Sequence, residues 1–283
     1  MKLEPYSVLM SMYHRDAPGP LRQSIESMLA QTVPCDQFVL VRDGPVGDEL
    51  AAVIDSFVQS RPGLFIVVEL PENVSLGLAL DAGLQHCRND LVARMDADDI
   101  SLPERCEKLL KLFADNPDLA IAGANIDEFY GDPSHVVYSR VVPSDHAGIR
   151  KFMRRRSPFN HPTVMYRKSA VLRCGGYGSS PRKEDLSLFA RMLNNGCLAL
   201  NLPESLLLYR SSPDNYKRRK TWVNCWGYIQ VEWDHFRRGY CSLWDFAVVA
   251  AGQTALFLAP LPVMRFLSDR FLRHKSTGRK SHA

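Results

Sequence analysis

The chain has no C-x-x-C pair: its seven cysteines stand singly at positions 35, 87, 106, 174, 197, 225 and 241. That pattern argues against a disulfide framework and a thiolate zinc site, and fits a reducing cytoplasm. There is no low-complexity segment and no internal repeat. The opening residues "MKLEPYSVLMSMY" lack the long apolar core and small-residue cleavage site of a signal peptide. Strong charge of one sign is missing too, with a net of +4 over 283 residues. That excess lies in residues 265–283, where six Lys and Arg stand against Asp269 for a net of +5, leaving −1 for the 264 residues before them. A basic tail is no argument for a nucleic-acid-binding body, and no nucleic-acid partner is expected.

What is present is ordinary globular composition, 46% hydrophobic and 23% charged, enough for one large α/β domain with an appendage. "YSVLMSMY" (6–13) reads as a buried strand, followed by a Pro-Gly-Pro break and the helix "LRQSIESMLAQT". "QFVLVRDG" is a second strand. "DELAAVIDSFVQS" is a helix with Asp48 as N-cap. "LFIVVEL" is a third strand, "SLGLALDAGLQHC" a helix and "DLVARM" a fourth strand. Pro103 fits the first turn of the helix "PERCEKLLKLFADN", and "LAIAGANIDEFY" is strand-like. Alternating strands and helices predict right-handed βαβ units in a mostly parallel sheet. Ligands bind such sheets outside the carboxyl ends of the strands. Three polar clusters fall at those ends: "YHR" (13–15), "RDG" (42–44) and "DADD" (96–99).

Further on, residues 144–156 read as helical and basic, and "NHPTVMYRKS" (160–169) as a strand running into a helix. "KEDLSLFARMLNNG" spaces Leu186, Phe189 and Leu193 as one helical face, with Gly196 closing it. Glu184 and Asp185 then open that helix, whose positive end favours an ionised carboxylate. "SLLLYR" is one more strand.

Aspartates at a strand end are common turn formers, so a lone D-x-D has a bland reading. The alternative is a hard divalent cation, which takes oxygen ligands and accepts few protein contacts when phosphates supply the rest. Asp96 and Asp98 suit such a partial shell. The letters approach the aspartyl-phosphatase pattern, but that pattern belongs on a first strand. An EF-hand is excluded because the loop glycine and closing glutamate are missing.

Taken in order, "SVLMSMYHRD…LRQSIESMLAQT", "VLVRDG", "NVSLGLALDAGL", "VARMDADDISLPER", "NHPTVMYRKS", "GGY" and "EDLSLFARML" resemble the family-2 glycosyltransferases of the GT-A fold. The likeness is to the bacterial enzymes of capsule, O-antigen and exopolysaccharide synthesis, and it runs from about residue 6 to 210. It implies a nucleotide-sugar donor, usually a UDP-sugar, and Mn²⁺ or Mg²⁺. It also implies roles. Tyr13 stacks on the base and Asp43 accepts its N–H. Asp96 lies near the ribose or the metal, and Asp98 binds the metal. Asp185 is the catalytic base of an inverting transfer. Arg15 and Arg94 either touch phosphate or are solvated. Glu184 supports the base, and His161 either borders the acceptor or is structural. Asp43 and Asp185 also have plain readings as a turn residue and a helix cap, and Tyr13 as core packing. The family often has two acids before the glycine of "VLVRDG", and here the first is Arg42.

The expected organisation is a GT-A domain over 1–212, with a nucleotide-binding half (1–100) and an acceptor half (101–212), and a helical extension over 213–283. "RRKTW" (218–222) does not match the processive-synthase motif, so one sugar is moved per event. No charge lies between Asp245 and Arg265, close to a span in length. Gly252, Gln253, Thr254, Pro260 and Pro262 argue against a crossing. With the basic tail, the stretch is expected to lie against an anionic membrane surface, on the cytoplasmic face, serving a glycan or lipid-diphosphate-linked acceptor. The alternative is a set of helices buried in the fold or in a homodimer. Arg154, Arg155 and Arg156 either grip an anionic lipid diphosphate or form a solvated helix end. Two other functions stay open: a nucleotidyltransferase, and a non-catalytic sugar-nucleotide binding module.

Overall fold

The computed structural model describes residues 3–179, 183–212, 220–264 and, as backbone, 274–275. The first hundred residues run β1 (Tyr6–Met12), α1 (Pro18–Leu29), β2 (Gln37–Arg42), α2 (Asp48–Ser60), β3 (Phe65–Glu69), α3 (Leu76–His86), β4 (Leu91–Asp96). Their strands are parallel in the order β4-β1-β2-β3. The runs of β1, β2 and β4 are sheathed on both faces, as inner parallel strands require, and β3 at the edge is partly exposed. Leu21, Ile25 and Met28 of α1 cover one face, and Ala79, Leu80 and Leu84 of α3 the other.

The second part is β5 (Ile100–Ser101), α4 (Arg105–Asp115), β6 (Leu119–Phe129), β7 (Val136–Arg140), α5 (His146–Met153), a 3₁₀ turn (His161–Thr163), β8 (Met165–Arg167), α6 (Lys168–Arg173), α7 (Glu184–Asn194) and β9 (Leu198–Arg210). Helices α8 (Trp222–Arg237) and α9 (Leu243–Leu258) and strand β10 (His274–Lys275) follow. The sheet order is β10-β7-β6-β8-β4-β1-β2-β3, with β9 beside β6 and β5 beside β9.

The sheet is therefore mixed rather than mostly parallel. β8 enters between β4 and β6 antiparallel to both, and β7 returns along β6 as a hairpin. No helix separates β6 from β7, and a short connection can only reverse the chain. Smaller expectations shift as well. The Pro-Gly-Pro stretch is not a break but the first turn of α1, with Pro18 where a missing N–H costs nothing. Asp48 is the first residue of α2, capped by Gly47. Pro103 lies just before α4, its carbonyl accepting from Thr32 N at 2.9 Å. Gly196 follows the cap of α7 with φ +81°, the left-handed turn that ends a helix.

All seven cysteines are free thiols. Among the described residues no helix is long and apolar enough to cross a membrane. Most of the basic tail (265–273 and 276–283) and the first letters of "RRKTW" lie outside the described residues.

Candidate functional site

The carboxyl ends of β1, β2 and β4 lie side by side, because Met12 pairs with Arg42 and Ser11 with Asp96 in the parallel register. At the end of β2, Asp43 is buried. Its backbone N donates to Met12 O at 2.8 Å, and its carboxylate accepts from Asn73 Nδ2 at 2.9 Å and Val74 N at 2.8 Å. One lone pair on each oxygen is left for another donor. Gly44 takes φ +84°, and a Cβ there would meet Asn73 N at 2.7 Å. The loop before α3 is thus clamped against "RDG", and Arg42 turns outward to Glu69 at 2.9 Å. Tyr13 is half-buried, its ring edge-on to His14 and its N–H donating to Asp16 Oδ2 at 2.9 Å; it belongs to neither apolar layer. Arg15 is exposed.

At the end of β4 the charge is concentrated. Arg94 is only 1% exposed and pairs with the carboxylate of Asp96, which faces the cleft at 28% side-chain exposure. Arg94 is therefore not a solvated arginine. Its Nε and Nη1 have no hydrogen-bond partner among the described residues. Ser24 Oγ donates to the Asp96 carbonyl at 2.6 Å, fixing the strand end to α1. Asp98 is exposed. The surrounding protein first, and the charges of Asp96 and Asp16 next, push its carboxyl up to about 6. Because Asp98 faces solvent, water weakens the first of these causes. Asp16 is also raised to about 6, by burial and then by Asp96, against the N–H of Tyr13. Asp99 is fully buried; it is raised by burial and by both neighbouring aspartates, with Oδ1 held by Arg210 N at 2.9 Å and Oδ2 unpartnered among the described residues. Excess negative charge, in other words, is incompletely offset here.

Two residues that no local pattern announced hold this loop. Arg210, at the end of β9, donates through Nε to Asp98 O at 2.8 Å and through Nη2 to Gln23 at 2.6 Å. Arg105, fully buried, donates to Ser101 Oγ at 2.8 Å, Arg94 O at 3.1 Å and Pro162 O at 2.6 Å. It therefore ties the acidic strand end to the 3₁₀ turn carrying His161.

The second acidic pair opens α7. Glu184 is buried and pushed up to about 7, by burial and then by Asp185. Asp185 is half-buried and also raised. Burial there outweighs the Leu186 N–H and the Lys183 charge, so the helix terminus does not depress it as expected. The pair is brought to the cleft by close packing of α3. A Cβ on Gly77 would meet Gly178 O at 2.4 Å and Glu184 Cβ at 2.9 Å. Asp81 on α3 accepts from Tyr177 N at 2.7 Å and Gly178 N at 2.8 Å, and a Cβ on Gly176 would strike that carboxylate at 2.5 Å. "GGY" is a cradle for Asp81, a role no local pattern showed.

His161 is half-buried, its Nε2 3.1 Å from Tyr177 Oη, which donates to Tyr166 Oη at 3.3 Å. Burial first and the Arg94 charge second hold its imidazole well below the usual range, so it is neutral. The Arg94 guanidinium also lowers the carboxyl pKa of Asp98, Asp99, Glu184 and Asp185. One sealed cation thus lies within reach of both acidic groups. Arg154 and Arg155 are exposed at the end of α5, and both pair with Asp245 of α9, Arg155 at 2.6 Å. Among the described residues no group of three or more His, Cys, Asp or Glu is arranged to cage a metal.

Residues 7–177 match the family described as Glycosyl transferase family 2. The chain belongs to glycosyltransferase family 2. This glycosyltransferase is 35% identical, over 94% of its length and 98% of the relative's, to the amylovoran biosynthesis glycosyltransferase AmsE of Erwinia amylovora. It is also 35% identical, over 95% and 96% of the two lengths, to the UDP-Gal:alpha-D-GlcNAc-diphosphoundecaprenol beta-1,3-galactosyltransferase of Escherichia coli. A mannosyltransferase from Pyrobaculum calidifontis, solved with GDP-Man and Mn²⁺, superposes with a TM-score of 0.61 at 14% identity, covering 95% of this chain and 80% of that one. The glycosyltransferase accordingly has the GT-A fold. The family match ends before Glu184 and Asp185 and leaves out α8 and α9, whereas the two curated relatives extend over nearly the whole chain.

Proposed function

We propose that the protein transfers one sugar from a UDP-sugar to a hydroxyl of a lipid-diphosphate-linked glycan, with inversion, at the cytoplasmic face of the membrane during surface-polysaccharide synthesis. The observation that carries this reading is the pairing of two unlike acidic groups around one buried arginine, Asp96 and Asp98 at a strand end and Glu184 and Asp185 at a helix start. The Escherichia coli relative, named for a UDP-sugar and a lipid-diphosphate acceptor, supports the choice of donor and acceptor.

In this reading Tyr13 stacks on the uracil, and Asp43 accepts the base N–H on a lone pair that Asn73 and Val74 leave open. Residues 1–100 form the donor half and 101–212 the acceptor half. Asp96 and Asp98 would hold Mn²⁺ or Mg²⁺. The donor set fits: two carboxylates face the cleft, and the raised pKa of Asp98 marks charge that a cation offsets. When bound, such an ion supplies positive charge for the departing diphosphate. Arg94 orients Asp96, and Arg210 holds the loop that carries Asp98. Asp185 takes the proton of the attacking hydroxyl. Its raised pKa makes it a stronger base than a solvated aspartate, and the Leu186 N–H and Lys183 oppose its protonation. One carboxylate on the face opposite the leaving group produces direct displacement and inversion. His161, neutral, positions Tyr177 beside the acceptor side of the cleft.

The test is UDP release with UDP-sugars and lipid-linked acceptors extracted from membranes, with and without Mn²⁺. Release is expected to disappear with EDTA and in Asp98→Ala and Asp185→Asn. Normal turnover in both variants sinks these role assignments.

A further inference from the structure

The hairpin of α8 and α9 is an unusual surface for a water-soluble domain. All four tryptophans of the chain lie on it, and all are exposed: Trp222 by 53%, Trp226 by 46%, Trp233 by 45% and Trp244 by 70%. Nine of the thirteen large exposed apolar side chains among the described residues fall between 222 and 263, so the patch is concentrated rather than scattered. Trp222, Trp226 and Trp233 fall within about 40° of one another around α8 at 100° per residue. Helix α9 is uncharged after Asp245, and only Asp245 and Val249 of its sixteen residues are buried. A helix apolar on every side is not stable facing water alone.

Charge surrounds this patch. Arg154 and Arg155 grip Asp245, next to Trp244, and so seat the exposed cations Arg150 and Lys151 of α5 beside the hairpin. In sequence, the +5 segment 265–283 begins seven residues after the end of α9. At its other end the hairpin is tied to the acidic pair: Lys183, just before Glu184, donates to Asn224 Oδ1 at 3.0 Å and lies 4.5 Å over the Tyr228 ring.

We infer that the α8–α9 hairpin, with the basic end of α5, is the surface by which the protein docks on an anionic lipid bilayer, its tryptophans at headgroup depth, so that the Lys183 side of the cleft faces the membrane. This rests on the proposed lipid-linked acceptor and specifies how it is met. Indole rings settle at the apolar–polar boundary, and Lys and Arg are drawn to anionic headgroups.

Since every tryptophan is in the hairpin, its intrinsic fluorescence reports this surface alone. The probe is phosphatidylcholine vesicles with and without phosphatidylglycerol. Vesicles containing phosphatidylglycerol are expected to shift the emission to the blue, brominated lipid to quench it, and added salt to reverse both. In co-sedimentation, Trp222→Ser with Trp244→Ser is expected to abolish binding, and Arg150→Ala and Lys151→Ala each to weaken it by about fivefold. Emission unchanged by lipid overturns the inference. So does a lipid-independent dimer, seen by sedimentation, that already shields the tryptophans. UDP release measured with the extracted lipid-linked acceptor dispersed in detergent, without vesicles, separates the two failures. Its presence without vesicle binding defeats the docking surface alone, and its absence defeats the transferase reading whatever the vesicles do.

Discussion

The two acidic groups of the cleft are alike in letters and unlike in physics. At the end of β4, the carboxyls of Asp98 and Asp99 are raised by burial and then by the charge of Asp96, and the loop carries more negative charge than Arg94 and Arg210 offset. At the start of α7, Glu184 and Asp185 are raised chiefly by burial, while helix N–H groups and Lys183 pull the other way. The first arrangement is eased by a cation and the second by a proton. The buried Arg94 acts on both, lowering the carboxyl pKa in each group.

Four experiments break or sharpen that contrast. The largest effect is expected at the first group. Asp98→Ala should lower turnover by about 10³-fold, the several kcal/mol that metal-borne charge contributes, and should abolish dependence on Mn²⁺. Steady-state rates over a metal titration check this. At the second group Asp185→Asn should lower the rate by about 10²–10³-fold, in the range of a lost general base, while donor affinity stays near wild type. A KM for the donor that rises in step places Asp185 in the first group instead. Arg94→Met touches both. It leaves Asp96 without its buried partner and should cost about 2–3 kcal/mol of stability, read as a Tm lowered by several degrees. An unchanged Tm means that the two groups do not share this cation.

Glu184→Gln should show the smallest effect and the clearest sign. Because the folded state raises this carboxyl to about 7, its folding penalty is absent below the unfolded pKa, grows as pH rises, and is complete above 7. The variant should therefore be more stable than wild type at pH 8, by about 1–2 kcal/mol, and equal to it at pH 4. Equal stability at both pH values contradicts the burial of an ionised Glu184.

How much of this was legible before the fold depends on the residue. The strands β1 to β4 could be read because each is an apolar run between helices with a 3.6-residue face, and local pattern and tertiary role agree there. Asp43, Asp96 and Asp98 could be picked out for the same reason, standing where parallel strands end. The mixed second half was less readable. β8 is a three-residue strand paired on both sides, too short to carry a period. Arg94 reads the same in sequence whether sealed or solvated, and only the packing of Val164 and Arg105 around its backbone shows that it is sealed. Asp81 and Arg210 reach their partners across 97 and 112 positions, where no local rule applies. Arg154 and Arg155 looked like a free basic patch until Asp245, about ninety residues on, was seen to occupy them.

By itself the sequence determined what is periodic and what is local: apolar runs that must be buried, helices that must cross between parallel strands, and acids gathered at strand ends and at a helix start. Only the tertiary structure decided which charges meet. Burial and pairing depend on contacts between distant segments, and those contacts decide whether a carboxylate is a cap, a cation ligand or a base.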